Sequence, residues 1–122
     1  MRMNEITFGG QRPVDGYGPG GFRIAGEWHE GPLVLLPSGI QPMAGGALGD
    51  AAIAPVLAAA AEIDVVLVGQ GAEIAPLPRA LREAFEAAGI GVEMMSTPSA
   101  CRTYNVLLAE DRRVAALLIA VG

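Results

Sequence analysis

Four stretches of the chain carry residue types capable of chemistry: Trp28-His29-Glu30, Gly69-Gln70-Gly71, the lone Cys101, and the run from Ser96 to Asn105. Cys101 and His29 are the only cysteine and histidine, and they make a nucleophile and a base only if the fold brings them within hydrogen-bond reach. A helix N-terminus acidifies a thiol, whereas a cysteine on a packed helix face is a small inert hydrophobe, which is the simpler reading of Cys101. Glycines at the end of a buried strand, such as Gly69 and Gly71, let a backbone approach a phosphate. The dinucleotide fingerprint, however, wants a third glycine where Ile74 stands, so a turn needing positive φ is the simpler reading there. Trp28-His29-Glu30 offers a recognition surface or an oriented general base; the competing reading is a hairpin end with Trp28 packed inward. One His and one Cys assemble no closed zinc site, and no acidic cluster has calcium-loop spacing, so no metal and no cofactor is expected.

The run Ser96-Thr97-Pro98-Ser99-Ala100-Cys101-Arg102-Thr103-Tyr104-Asn105 is the most informative. It places Thr103, Tyr104 and Asn105 consecutively inside a helix, each roughly 0.5 kcal/mol worse than Ala as a helix former. The chain has 21 alanines, so Ala was available for these positions. Two accounts stand side by side: Tyr104 packs its ring with its hydroxyl on a buried partner while Asn105 bonds a neighbouring loop, or both residues face a binding partner. Neither account implies catalysis.

The elements that must position these residues follow from periodicity and punctuation. Residues 1–20, rich in Gly and Pro, read as an irregular arm, and 21–122 as a single α/β domain. Phe22 to Trp28 alternates as a half-buried strand, and Leu33 to Leu36 is an apolar run ended by Pro37-Ser38-Gly39. The two are expected to form an N-terminal β-hairpin with His29-Glu30-Gly31 as its turn. Ala51 to Glu62 reads as a helix with Pro55 near its first turn, and Ile63 to Val68 as a strand buried on both faces. Pro78 opens an amphipathic helix with Leu81 and Phe85 inward and Gly89 at its C-terminus, before a strand from Ile90 to Met95. Thr97 as N-cap and Pro98 at the first position start a third helix running to about Glu110, with Arg112 and Arg113 beyond it. Val114 to Val121 closes the chain as a central strand. The alternation predicts an α/β fold of three layers, a central mixed sheet flanked by helices.

Composition bounds the partners. The chain has 122 residues, 52% hydrophobic and 17% charged, with eight basic and thirteen acidic residues giving a formal charge of -5. That charge repels a phosphate backbone, so nucleic acid is not an expected partner. The longest apolar runs, Ala51 to Ala61 and Val114 to Val121, fall well short of the roughly 20 residues a spanning helix requires. The N-terminus lacks the pattern of a secretory signal and the single cysteine makes no internal disulfide, so a cytoplasmic location is expected. Both a monomer and a homodimer fit an alanine-rich surface.

Gly26-Glu27-Trp28-His29-Glu30-Gly31, the Gly69-Gln70-Gly71 turn, and Met95 to Asn105 followed by Leu107 and Glu110 resemble the family that includes mitochondrial NADH dehydrogenase (complex I) assembly factor 3. The resemblance covers about Tyr17 to Val121. It implies a three-layer fold around a mixed sheet, no established enzymatic activity, an accessory role in assembling a respiratory complex for the mitochondrial branch, and a link to membrane-protein biogenesis for bacterial members. Gln70 stands where relatives often carry Thr, and Asp111 where they often carry Gly. The lysine-free, Ala- and Arg-rich composition is of a bacterial kind.

The expected function is therefore a non-enzymatic binding or assembly module with a protein partner, touching a membrane complex peripherally. Its candidate surface comprises Trp28, His29, Glu30, Gly69, Gly71, Ser96, Thr97, Cys101, Arg102, Tyr104 and Asn105, with no catalytic residue assigned. The alternative is a small-ligand or anion-binding protein or enzyme that uses Cys101 at a helix N-terminus beside the Gly69-Gly71 turn.

Overall fold

Val114 to Ile119 contains no polar side chain, and a strand of that kind has to be covered on both faces. In the computed structural model, which describes residues 11–122, this segment is β8, the middle strand of a five-stranded sheet. The order of elements is β1 (Val14–Gly18), β2 (Gly21–Ile24), β3 (Glu27–Glu30), β4 (Leu33–Leu36), β5 (Gly39–Pro42), α1 (Asp50–Ala58), β6 (Val65–Gln70), α2 (Arg79–Ala87), β7 (Gly91–Met95), α3 (Thr97–Ala109) and β8 (Val114–Ile119). The main sheet runs β5-β4-β8-β6-β7. β6 is parallel to both β7 and β8, whereas β4 is antiparallel to β5 and β8, so the sheet is mixed.

Strand alternation sorts the core into two halves. Val34, Leu36, Val66, Val68, Ala115 and Leu117 point to one face, where Ala52, Ile53 and Val56 of α1 and Leu81 and Phe85 of α2 cover them. Leu33, Leu35, Leu67, Ala116 and Leu118 point to the other, under Ala100, Cys101, Tyr104 and Leu108 of α3. Val14, Phe22 and Ile24, from a second sheet of order β1-β2-β3, complete that second half. The expected three layers around a mixed sheet are present.

Local expectations needed correction. Phe22–Trp28 is not one strand paired with Leu33–Leu36. It breaks at Ala25 (φ 54) and Gly26 (φ 81), a two-residue hairpin turn with positive φ at both positions that joins β2 to β3 in register Ile24↔Glu27. Leu33–Leu36 instead pairs with β5 and β8, because its four buried apolar residues belong in the main sheet. His29 and Glu30 are part of β3 rather than a turn. Val14–Gly18, read as part of an irregular arm, is a strand whose glycines did not prevent ladder pairing; the first ten residues of that arm lie outside the described residues. The helix read as Ala51 to Glu62 ends at Ala58 and is followed by a separate 3-10 turn, Ala60–Glu62. Pro55 sits inside α1, past the first turn, and has no N–H to give the Ala51 carbonyl. The N-cap of α3 is Ser96, one residue before the expected Thr97, and its hydroxyl accepts from Ser99 N–H at 3.4 Å.

The ends of α2 and α3 share one geometry with different residues. After α2, Gly89 N–H bonds the Glu86 carbonyl and Ile90 N–H the Phe85 carbonyl, both at 3.0 Å, with Gly89 at φ 79. After α3, Asp111 N–H bonds Leu108 at 3.0 Å and Arg112 N–H bonds Leu107 at 2.9 Å, with Asp111 at φ 65. Both are Schellman closures, which favour glycine at the left-handed position. The Asp111→Gly variant is expected to be more stable by about 0.5–1 kcal/mol, read as a higher urea midpoint at unchanged m-value; a lower midpoint would refute the strain at Asp111.

Candidate functional site

At the carboxyl end of β6 the backbone meets the start of α3, and the contact is organised by one buried side chain. Thr97 is fully buried. Its hydroxyl accepts from Gly71 N–H at 2.7 Å and donates to the Ile119 carbonyl at 2.5 Å, while its own N–H reaches the Gly71 carbonyl at 2.8 Å. One threonine thereby ties the ends of β6 and β8 to the first turn of α3. Gly71, at φ 80, has the positive φ expected of the turn. Gly69 is glycine for a different reason: a Cβ there would stand 3.0 Å from Ala100 Cβ and 3.1 Å from Thr97 Cα, so α3 packs directly on the strand backbone.

This geometry contradicts an anion cradle. Thr97 N–H is taken by Gly71, Pro98 has none, Ser99 N–H goes to the Ser96 hydroxyl and Ala100 N–H to the Ser96 carbonyl at 2.9 Å. The first turn of α3 therefore has no free donor to aim at a ligand. The reactive-thiol alternative fails with it. Cys101 is 4% exposed, and burial pushes its pKa up to about 11, opposite to the acidification such chemistry requires; Arg102 offsets this only in part. His29 is not among the groups acting on the thiol.

Tyr104 and Asn105 follow the structural one of the two accounts. Tyr104 is 1% exposed, and its hydroxyl accepts from Gln11 Nε2 at 3.2 Å. Burial pushes its pKa up to about 12, with the Gln11 hydrogen bond opposing. Gln11 Nε2 also donates to the Val114 carbonyl at 2.9 Å. Asn105 grips a single residue of β1: its Oδ1 accepts from Val14 N–H at 2.7 Å and its Nδ2 donates to the Val14 carbonyl at 2.8 Å. The side-chain amide stands in for the missing neighbour strand, which an alanine cannot do. Arg102 remains exposed, with Nη2 on the Ser99 hydroxyl at 3.2 Å.

Trp28-His29-Glu30 is split by the pleat of β3. His29 lies opposite Phe22, on the face turned toward the core, whereas Trp28 and Glu30 point outward. Trp28 is therefore not packed inward. It is 42% exposed, and its indole lies over β2 and β1: a Cβ on Gly21 would meet Trp28 Cζ2 at 2.8 Å and Cε2 at 2.9 Å, and one on Gly18 would meet Cη2 at 3.5 Å. Trp28 Nε1 donates to Glu30 Oε2 at 2.6 Å. The candidate residues thus divide into a buried junction (Gly69, Gly71, Thr97 and Cys101, with Ser96 at its rim), an α3 face turned inward at Tyr104 and Asn105, and an open face carrying Trp28 and Glu30. The chain beyond β8 connects to the β1-β2-β3 sheet through backbone: Gly20 N–H bonds the Val121 carbonyl at 2.9 Å, and Gly31 N–H the Gly20 carbonyl at 2.7 Å. Gln11, Gly18 and Gly21 escaped the sequence reading. A signal for the glycines was present, since Gly16, Gly18 and Gly21 occupy outward strand positions where side chains are usual.

Among the described residues no helix is long and apolar enough to cross a membrane, and no group of three or more His, Cys, Asp or Glu is placed to hold a metal ion.

A family model described as a protein of unknown function (DUF498/DUF598) matches residues 14–119. An uncharacterised protein of Rhodobacter capsulatus is 47% identical over 119 residues, 98% of this chain and 93% of that protein. NADH dehydrogenase (ubiquinone) 1 alpha subcomplex assembly factor 3 of Danio rerio is 35% identical over 84% of this chain, and that of Homo sapiens 33% over 87%. This chain spans only 61% and 59% of the length of those two assembly factors. Among solved structures, an outer membrane protein from Bartonella henselae superposes at TM-score 0.88 with 46% identity, over 94% of this chain and 99% of that one. A Bordetella pertussis protein described as an Mth938-like domain superposes at 0.65 with 26% identity, over 88% and 85%.

Two outcomes follow from the geometry. Asn105→Ala leaves both polar groups of Val14 without their partner and is expected to lower the unfolding free energy by about 1–3 kcal/mol in urea titration; an unchanged midpoint would show that the clamp is dispensable. Alkylation of Cys101 in the folded protein is expected to stay slow and to rise only as the pH approaches about 11, whereas the unfolded chain follows an ordinary thiol near about 8.5. An inflection below about 8 in the folded protein would contradict the burial argument.

Proposed function

Since the chain belongs to the DUF498/DUF598 family of unknown function, whose relatives include complex I assembly factor 3, we propose that it is a non-enzymatic binding or assembly module. In this reading it is an accessory factor in respiratory-complex or membrane-protein biogenesis, cytoplasmic, and in peripheral contact with a membrane complex. The supporting observation is the outward face of the β1-β2-β3 sheet, where a tryptophan stands 42% exposed on a floor of glycine. Tryptophan is among the residues that most often dominate binding energy, because a rigid indole covers much area for little conformational entropy. Gly69, Gly71, Thr97, Cys101, Tyr104 and Asn105 are engaged inside the molecule, which leaves Trp28 and Glu30, with half-buried His29 and Ser96 and exposed Arg102 on α3, to meet a partner.

The test is capture from native membranes by the tagged protein and by a Trp28→Ala variant shown by circular dichroism to be folded. Partners retained by the wild type are expected to be lost or reduced about tenfold or more in the variant, as for an interface hot spot. Equal recovery of the same partners by both proteins would remove Trp28 from the binding surface.

A further inference from the structure

The geometry points to an arginine side chain of a protein partner as the group received by the Trp28-Glu30 face, with its guanidinium stacked on the exposed part of the indole and paired with the Glu30 carboxylate. This inference rests on the binding reading above. The Cε2–Cζ2–Cη2 part of the Trp28 ring lies against the backbone of Gly21 and Gly18, and the residue as a whole is 42% exposed. Any Cβ at Gly21 would displace the ring, and would also collide with the His29 carbonyl oxygen. Gly21 has no positive φ to justify glycine, so close approach alone requires it. Strand glycine is destabilising relative to Ala; here its bare backbone admits both the His29 carbonyl and the Trp28 indole.

The Nε1–Glu30 bond of 2.6 Å then holds a carboxylate at the edge of that ring, and Glu30 Oε1 receives no donor among the described residues. A flat π-face with an anion fixed at its rim discriminates between ligand classes. An apolar side chain covering the ring would strip water from the carboxylate without replacing its hydrogen bonds. An anion is repelled by Glu30. A cation gains from the ring quadrupole and the carboxylate together. Of the two cationic side chains, arginine is planar, stacks on aromatic faces and presents a fork of N–H donors, whereas lysine is a strongly hydrated point charge. Arg23 is the register neighbour of Trp28 on the same face, yet forms no ion pair with Glu30 among the described residues. The formal charge of -5 favours the approach of a basic segment.

The test is selection of random phage-displayed peptides on the wild-type protein, keeping those that fail to bind folded Trp28→Ala. The retained peptides are expected to carry arginine and to perturb the fluorescence of Trp28, the only tryptophan. Changing that arginine to citrulline, or introducing Glu30→Gln, should weaken binding about three- to tenfold. The two changes together should weaken it less than their product, because they remove one shared interaction. Retained peptides without arginine, citrulline peptides that bind equally well, fully independent effects, or the absence of any Trp28-dependent peptide would each overturn the arginine assignment. The wider reading is decided separately: native partners lost on Trp28→Ala, alongside arginine-free peptides, would keep the binding face and discard its arginine specificity.

Discussion

The molecule depends on how closely α3 lies against the sheet. Gly69 has no side chain, and α3 fills that space with Ala100 and the backbone of Thr97. At such a distance the polar groups at the strand ends are cut off from water and must bond internally. Thr97 meets that requirement with three hydrogen bonds, two to Gly71 and one to Ile119. Once the helix start is fixed there, its inward stripe of Ala100, Cys101, Tyr104 and Leu108 falls on the second half of the core. Asn105, on the next turn, then reaches β1.

This arrangement explains why residues that look chemical are structural. An open α/β sheet usually offers its ligand site at the carboxyl ends of parallel strands. Here that place is filled by the chain itself: the turn amide is bonded to threonine, the helix N–H groups are bonded to the turn and the cap, and the thiol beneath is buried. The Tyr104 hydroxyl and the Asn105 amide act in the same way, as satisfied polar groups holding the N-terminal strands to the body. The apolar main sheet needs covering on both faces, and the β1-β2-β3 sheet is the part of the cover that α3 does not provide.

The face left over is the outside of that small sheet. Its strands are short, three of its outward positions (Gly16, Gly18 and Gly21) are glycine, and its one large apolar outward side chain is a tryptophan fixed at its polar edge by Glu30. Rigidity and exposure together distinguish it from the other half-exposed apolar side chains, Tyr17, Ile74 and Val106, for which no comparable anchoring hydrogen bond exists among the described residues.

Local chemistry was legible in the sequence wherever it acts over a few residues. The apolar run of β8, the amphipathic Leu81 and Phe85 spacing, the glycine that ends α2 and the proline at the start of α3 each identified an element, because burial period and backbone conformation are written in neighbouring residues. The misfit of Thr103, Tyr104 and Asn105 in a chain that uses alanine freely marked the right helix, without saying which of two reasons applied. Tertiary structure decided that, since Val14 and Gln11 stand 91 and 93 residues away from their α3 partners. It also decided that Leu33–Leu36 leaves its expected hairpin for the main sheet, and that Trp28 lies outside rather than in. Strand pairing and side-chain facing are settled by which distant surfaces compete to be buried. The pattern of one segment can state its need for cover, and only the assembled fold determines what supplies it.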